Sequence, residues 1–281
     1  MKNILLLFIF ILSIQFAFSQ GPWTREKGFA YVQIGMTSLQ YDKIKVDGEE
    51  LDLTSNVSDL TTQFYAEYGI TNKLEAQLIV PFRFVSRTGK NKANYYSGFG
   101  SFVDGSLSGI GNVNLGLKYK LFDRNWKISG GVQYSAKTVT GDGNKGLSTG
   151  FNANTILPYI SVGSSSGKWY YFGNLGYGYM DNQYSDFIKF GAEVGYNIIQ
   201  KGHLMLVLDN RVIVSKENLF FIDIFRFSSY FDKQSYSAVG LKFNYEFKKD
   251  KFGANFAAFS AFALDNAPVA PTLNFGIYAK L

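Results

Sequence analysis

Apolar and polar residues alternate with a period of two along most of the chain. Leu74, Ala76, Leu78, Val80, Phe82 and Phe84 form one apolar series, and the positions between them include Glu75, Gln77 and Arg83. Successive side chains of a strand point to opposite faces, so this stretch predicts a strand with one apolar and one charged face. Ile188, Phe190, Ala192, Val194, Tyr196 and Ile198 repeat the pattern against Lys189, Glu193 and Asn197. Val239, Leu241, Phe243, Tyr245 and Phe247 do so against Gly240, Lys242, Asn244 and Glu246. Helical spacing is nearly absent. Twelve such stretches are centred near residues 34, 64, 80, 117, 132, 157, 175, 193, 208, 242, 258 and 276. Those near 157 and 258 alternate poorly, and 216–234 could hold another hairpin, so the count lies between ten and fourteen.

Connections alternate in length. Residues 42–58, 87–109, 141–150 and 216–234 predict long loops, whereas Gly69–Lys73, Phe122–Asn125, Ser164–Lys168, Ile199–Gly202 and Lys248–Lys251 predict tight turns. Twelve strands, long loops on one side and short turns on the other are the pattern of a closed membrane barrel with periplasmic termini. Pro81 and Pro158 fall inside strands and cannot donate to a ladder, which predicts bulges or local breaks. The glycines set among aromatics in Tyr170–Tyr179 predict rings lying over bare backbone.

The first nineteen residues read differently. Lys2 precedes an almost unbroken apolar run from Ile4 to Ile14, and Ala17 and Ser19 stand three and one residues before a cut that leaves Gln20 or Gly21 first. This predicts a signal peptide over 1–19 and one domain over 20–281. The apolar run is too short for a spanning helix, which needs about 20 residues.

Composition supports an outward apolar face. Twenty-seven Phe and 19 Tyr coexist with a mean hydropathy of -0.04. Displaying aromatics to lipid and polar groups inward reconciles the two, and Leu78, Phe82, Phe190, Phe243, Phe247 and Phe275 are expected to face lipid. Tyr41, Tyr68, Trp126 and Trp169 near strand ends are expected in the interfacial girdles. With no Cys, disulfides, thiolate metal sites and a lipid-modified cysteine are excluded. The formal net charge of +6, or +5 without Lys2, is too modest and dispersed to point to nucleic acid.

The segments Tyr68-Gly69-Ile70-Thr71-Asn72-Lys73-Leu74-Glu75, Val80-Pro81-Phe82 and Gly109-Ile110-Gly111-Asn112-Val113-Asn114-Leu115-Gly116-Leu117-Lys118-Tyr119 resemble an outer-membrane family of transporters assigned to the meta-pathway of phenol degradation. Asn112 stands where that family usually carries Asp. The resemblance covers mainly residues 60–122. It implies an outer-membrane barrel with a transport role and transfers no binding residue. Aromatic richness and the glutamine at the expected mature start are also similar to envelope proteins of Bacteroidetes-type bacteria.

Taking the polar side of each alternation gives an expected lumen row. It holds Arg83, Arg87, Lys118, Lys120, Lys127, Lys137, Lys189, Arg211 and Lys242 against Glu67, Glu75, Glu193, Asp209 and Glu246. Two readings stay open, a lumen filled by cross-strand ion pairs and a narrow basic pore that favours anions. Phe220, Phe221, Ile224, Phe225, Phe227 and Phe231 make 216–234 unusually apolar for an exposed loop, suiting strand extensions, a lumen plug or a surface for another envelope protein or a second copy.

Catalytic signals are weak. His203, the one histidine, falls beside a tight turn, and no Ser–His or paired-carboxylate arrangement emerges. Asp142-Gly143-Asn144 lacks the further ligands of a calcium loop and reads as a hairpin turn, and Gly109-Ile110-Gly111 precedes a strand and not a helix. No catalytic residue, metal or cofactor is therefore assigned. Three roles follow: an outer-membrane channel for small solutes, anionic or hydrophobic; a non-conducting accessory subunit in contact with lipid and other envelope proteins; and, least supported, an enzyme.

Overall fold

The computed structural model describes residues 21–46, 48–89, 102–214, 230 and 232–281. Among them every regular element is a strand, in the order β1 (Ala30–Val46), β2 (Glu49–Gly69), β3 (Leu74–Gly89), β4 (Gly105–Ile110), β5 (Val113–Asp123), β6 (Lys127–Ala136), β7 (Gly141–Asp142), β8 (Leu147–Ser148), β9 (Thr155–Ser166), β10 (Trp169–Met180), β11 (Phe187–Ile199), β12 (Gly202–Ile213), β13 (Ser235–Lys248), β14 (Phe252–Asp265), β15 (Ala267–Pro268) and β16 (Thr272–Lys280). Neighbours in sequence pair antiparallel, and β1 pairs with both β2 and β16, so the sheet closes on itself. β4 and β5 both pair with β3 and form one interrupted wall strand. β15 and β16 likewise both pair with β1 as one interrupted strand, and β7 and β8 form a separate two-stranded sheet, so the barrel has twelve strands. All twelve sequence-derived centres fall inside wall strands.

Alternation sets which way each side chain points. Along β3, Glu75, Gln77, Ile79, Pro81, Arg83, Val85 and Arg87 are buried in the barrel, while Phe82 and Phe84 are exposed. Phe190, Phe243, Phe247 and Phe275 are exposed as well, and Leu78 lies on the same outer face as Phe82. Burying the charged row of such a strand is tolerable only where the row finds partners, and leaving the aromatic row bare is tolerable only in lipid. The exposed apolar belt therefore identifies an outer-membrane barrel.

The prolines mark interruptions. Pro81 keeps its register with Gln63 of β2, but opposite it the partner strand breaks between β4 and β5, where one extra residue enters and Gly111 N–H donates to the Pro81 carbonyl at 2.9 Å. At Pro158 the ladder to β10 lapses between Tyr159 and Ile156 without a change of register, while pairing to β6 continues. Tyr170 lies over Gly195, its directly paired residue, where a Cβ would come within 2.1 Å of the ring. Bare backbone there lets an interior aromatic lie flat on the wall.

Two expectations need correction. Residues 42–58 are not a loop, because β1 and β2 run 17 and 21 residues as one hairpin, well past the 9–11 that span a membrane. Tyr41 is not a girdle residue. Its odd position on β1 turns it inward, 4% exposed, into an apolar cluster with Ile44, Val57, Val85, Leu147 and Ala270. The other three are exposed at the short-turn end, where Trp126 packs edge-on against Tyr171 and Trp169 lies tilted against Tyr196.

Candidate functional site

The site is the barrel interior, and its first feature precedes the wall. Residues 21–25 run inside the barrel at the short-turn end, and 26–29 lead out along the rim to β1. Pro22 is fully buried, Trp23 packs edge-on against Tyr170 and Phe172, and the Arg25 guanidinium sits 2.7 Å from Glu67 and over the Tyr31 ring. The Arg25 amide donates to Glu75 at 2.7 Å, and Lys118 Nζ donates to the Gly21 carbonyl at 3.4 Å. This strap carries no alternation, so the period-two pattern does not detect it.

Charges on the inner face meet in six pairs, which lie in layers along the barrel. Nearest the short turns are Arg25–Glu67, Lys118–Glu75 at 2.9 Å and Lys280–Glu246. Above them Lys242 lies 3.3 Å from Glu193, which also accepts from the Tyr170 hydroxyl. Toward the long loops Arg83 bonds Asp59 at 2.9 Å and Lys189 lies 3.8 Å from Asp209, with Tyr230 and Tyr236 donating to the two aspartates. At such burial each charge is tolerable because its partner is within reach. Asp59, Arg25 and Lys280 are absent from the expected row. The alternation of Ser55, Val57, Asp59, Thr61 and Gln63 was the signal that could have found Asp59.

The remaining row members fall elsewhere. Lys120 and Lys127 share Asp123 at the edge of a short turn. Lys137, expected to face the lumen, is exposed beyond the end of β6. Arg87 and Arg211 are inside but without a carboxylate. Arg87 donates to the Ser55 hydroxyl and stacks on Phe102, and Arg211 lies between the rings of Phe187 and Phe151. Phe220, Phe221, Ile224, Phe225, Phe227 and Phe231 lie outside the described residues.

Two cavities occupy the lumen and meet at Thr37 and Gln63. The one toward the short turns, about 350 Å³, is lined by the strap's Trp23 and Arg25, by Phe172, Met205 and Phe259, and by the pairs around Glu193 and Glu246. His203 also lines it. The one toward the long loops, about 160 Å³, is lined by Arg83, Arg211, Phe151, Leu157, Met180, Phe187 and Tyr230. The inner wall is thus part apolar. Around the second cavity the β7–β8 hairpin turns inward, with Thr149 donating to Ile110 and Arg87 reaching the Gly146 carbonyl. Asp142 caps that hairpin by accepting from Asn144 and Lys145, and the Lys145 ammonium holds its carboxyl below the ordinary range. Among the described residues no group of three or more His, Cys, Asp or Glu is placed to hold a metal.

The three tryptophans make the inside and outside distinguishable. In bilayers of brominated lipid, a W126F/W169F double variant that keeps only Trp23 is expected to lose most of the quenching, whereas W23F keeps it. Equal quenching of both would place Trp23 at the lipid.

Residues 34–268 match the family described as "Putative MetA-pathway of phenol degradation". None of the curated proteins matches the chain in sequence. Among solved structures, the COG4313 outer membrane channel from Pseudomonas putida F1 aligns over 96% of this chain and 100% of its own, with 15% identity and a TM-score of 0.69. The NanC porin aligns over 88% and 98%, with 8% identity and a TM-score of 0.51. The translocator domain of the autotransporter NalP from Neisseria meningitidis aligns over 91% and 88%, with 9% identity and a TM-score of 0.50. At these identities the likeness shows the fold.

Proposed function

The chain belongs to this family, and from that premise we propose that it is an outer-membrane channel for small, largely apolar solutes, exported by a leader over residues 1–19 and seated with both termini in the periplasm. The observation that carries the reading is the wall of the two cavities. Aromatic and aliphatic groups alternate there with charges that neutralise one another, and the lumen narrows between two chambers that meet at Thr37 and Gln63. An open basic pore would leave its cations facing water, whereas paired charges and bare rings suit a solute with an apolar body. The expected lumen row acts here as wall structure more than as an anion ladder, with Arg87 and Arg211 as the cations left over.

The test is flux. Proteoliposomes are expected to take up a small neutral aromatic such as benzyl alcohol faster than protein-free vesicles, and to swell slowly in sugars of similar mass. Equal rates for both solutes would indicate a general aqueous pore, and no flux of either would end the channel reading. The strap and the inward hairpin favour a second reading, a non-conducting subunit of an envelope assembly. Co-migration with another envelope protein in mild detergent, together with absent flux, is its signature.

A further inference from the structure

Arg211, like Arg87, has no ion-pair partner among the described residues, and it lines the cavity toward the long loops. It is 7% exposed, its Nη2 donates to the thioether of Met180 at 3.2 Å, and its Nε–H has no acceptor. The ring centroids of Phe187 and Phe151 lie 3.9 and 5.0 Å from the guanidinium carbon. Asp209, two residues away on the same face of β12, is committed to Lys189 and Tyr236, and Asp232 accepts both the backbone and the hydroxyl of Ser185. A guanidinium held among rings, with a thioether as acceptor and one donor unused, is a buried charge with no carboxylate in contact among the described residues, Asp209 and Asp232 acting on it only through space. Removing a charge from water without an anion is costly, and a chain that needed only packing here would be served by Met or Leu.

The cavity beside it has a matching size and lining. Its volume of about 160 Å³ is close to the roughly 150 Å³ of an engineered apolar cavity that takes up benzene in another protein. Leu157, Met180, Phe187, Phe151 and Tyr230 offer apolar surface for one ring, and Arg211 lines the same space. We propose that this chamber is a binding site for a small monocarboxylate with a ring-sized apolar body, the carboxylate replacing Met180 as the acceptor of Arg211. Carboxylate and guanidinium match as a planar fork and a planar pair of acceptors, and charge-assisted bonds of this kind are about twice as strong as neutral ones. The inference deepens the channel reading, naming the solute class, and rests on it for transport alone.

Calorimetric titration of the full barrel in nanodiscs at low salt, with empty nanodiscs as the blank, tests the site without requiring conduction. Benzoate is expected to bind one saturable site. Benzyl alcohol, of the same size but neutral, and acetate, charged but without the ring, are each expected to bind about tenfold or more weakly, the worth of one charge-assisted hydrogen bond. Arg211→Met should cost benzoate about tenfold and leave benzyl alcohol within about twofold, with Arg211→Lys in between. Equal affinity of the wild-type barrel for benzoate and benzyl alcohol overturns the proposal even if no variant folds. So does unchanged benzoate affinity in Arg211→Met, or no saturable benzoate binding. Saturable, Arg211-dependent binding without benzoate flux in proteoliposomes supports the site and refutes transport.

Discussion

A chain that keeps residues 1–20 but lacks residues 21–27 is expected to conduct several-fold more current per barrel than the chain with them. Residues 21–27 contribute no backbone–backbone bond to the wall strands, the bonds with Gly69 being made by Gly28 and Phe29, which remain, and the wall closes through β1–β16 without them. What they do contribute is bulk and charge inside the lumen, through Trp23 against Tyr170 and Phe172 and Arg25 against Glu67. Glu75 keeps Lys118 after the deletion, so the wall retains its deepest ion pair. Planar-bilayer recording gives the conductance, and a shift in gel mobility between the unheated and heated samples, the unheated one running faster, shows that the barrel has formed. Arg25→Ala should give a smaller rise, because Trp23 and Pro22 still anchor the strap. Unchanged conductance in a folded deletion variant would place the main restriction at the long-loop end, near the β7–β8 hairpin.

The second large effect concerns stability. Lys118 and Glu75 are 2% and 0% exposed at their side chains, the most secluded of the interior pairs. Lys118→Met leaves the Glu75 carboxylate buried with only a backbone and a side-chain amide for company, and is expected to cost about 3–5 kcal/mol, the usual penalty for orphaning a buried charge. Adding Glu75→Gln removes the orphan and should recover more than half of that loss. Urea unfolding of detergent-solubilised barrels, followed by tryptophan emission, measures both. Additive losses in the double variant would mean that the two side chains stabilise the barrel independently and that their contact is incidental. Lys120→Met, on a rim pair open to water, is expected to cost less than about 1 kcal/mol.

Which residues face inward was legible in the sequence because a strand repeats every two residues and lipid and lumen impose opposite chemistries on its faces. Glu75 and Arg83 are buried and Phe82 is exposed on the opposite face of the same strand. Which inward residues meet was not legible. Arg83 and Asp59 are 24 positions apart and become neighbours through the β2–β3 register, which alternation leaves free. Tyr41 was misplaced because a strand end was taken to be a membrane boundary, when the β1–β2 hairpin continues beyond it. The Leu51-Asp52-Leu53 alternation hinted at that extension, but the charges around it, Glu49 and Glu50, read as a solvated loop. The strap escaped notice because its order depends on what surrounds it and not on any period of its own.

The seam between the first wall strand and the last sets a sequence of events. Tyr31–Leu39 of β1 pair with Thr272–Lys280, the last strand of the wall, so no ring exists until residues 272–280 have been made and delivered. Every earlier species carries two unsatisfied strand edges, the kind of surface that pairs with other chains, which makes escort to the membrane a necessity for this protein. A chain ending before Thr272 would keep those edges permanently. Because residues 21–25 lie within the circle that the seam completes, they must be enclosed as it closes or be threaded in afterwards through the short-turn end. Timing at the birth of the barrel therefore decides whether its lumen begins life occupied.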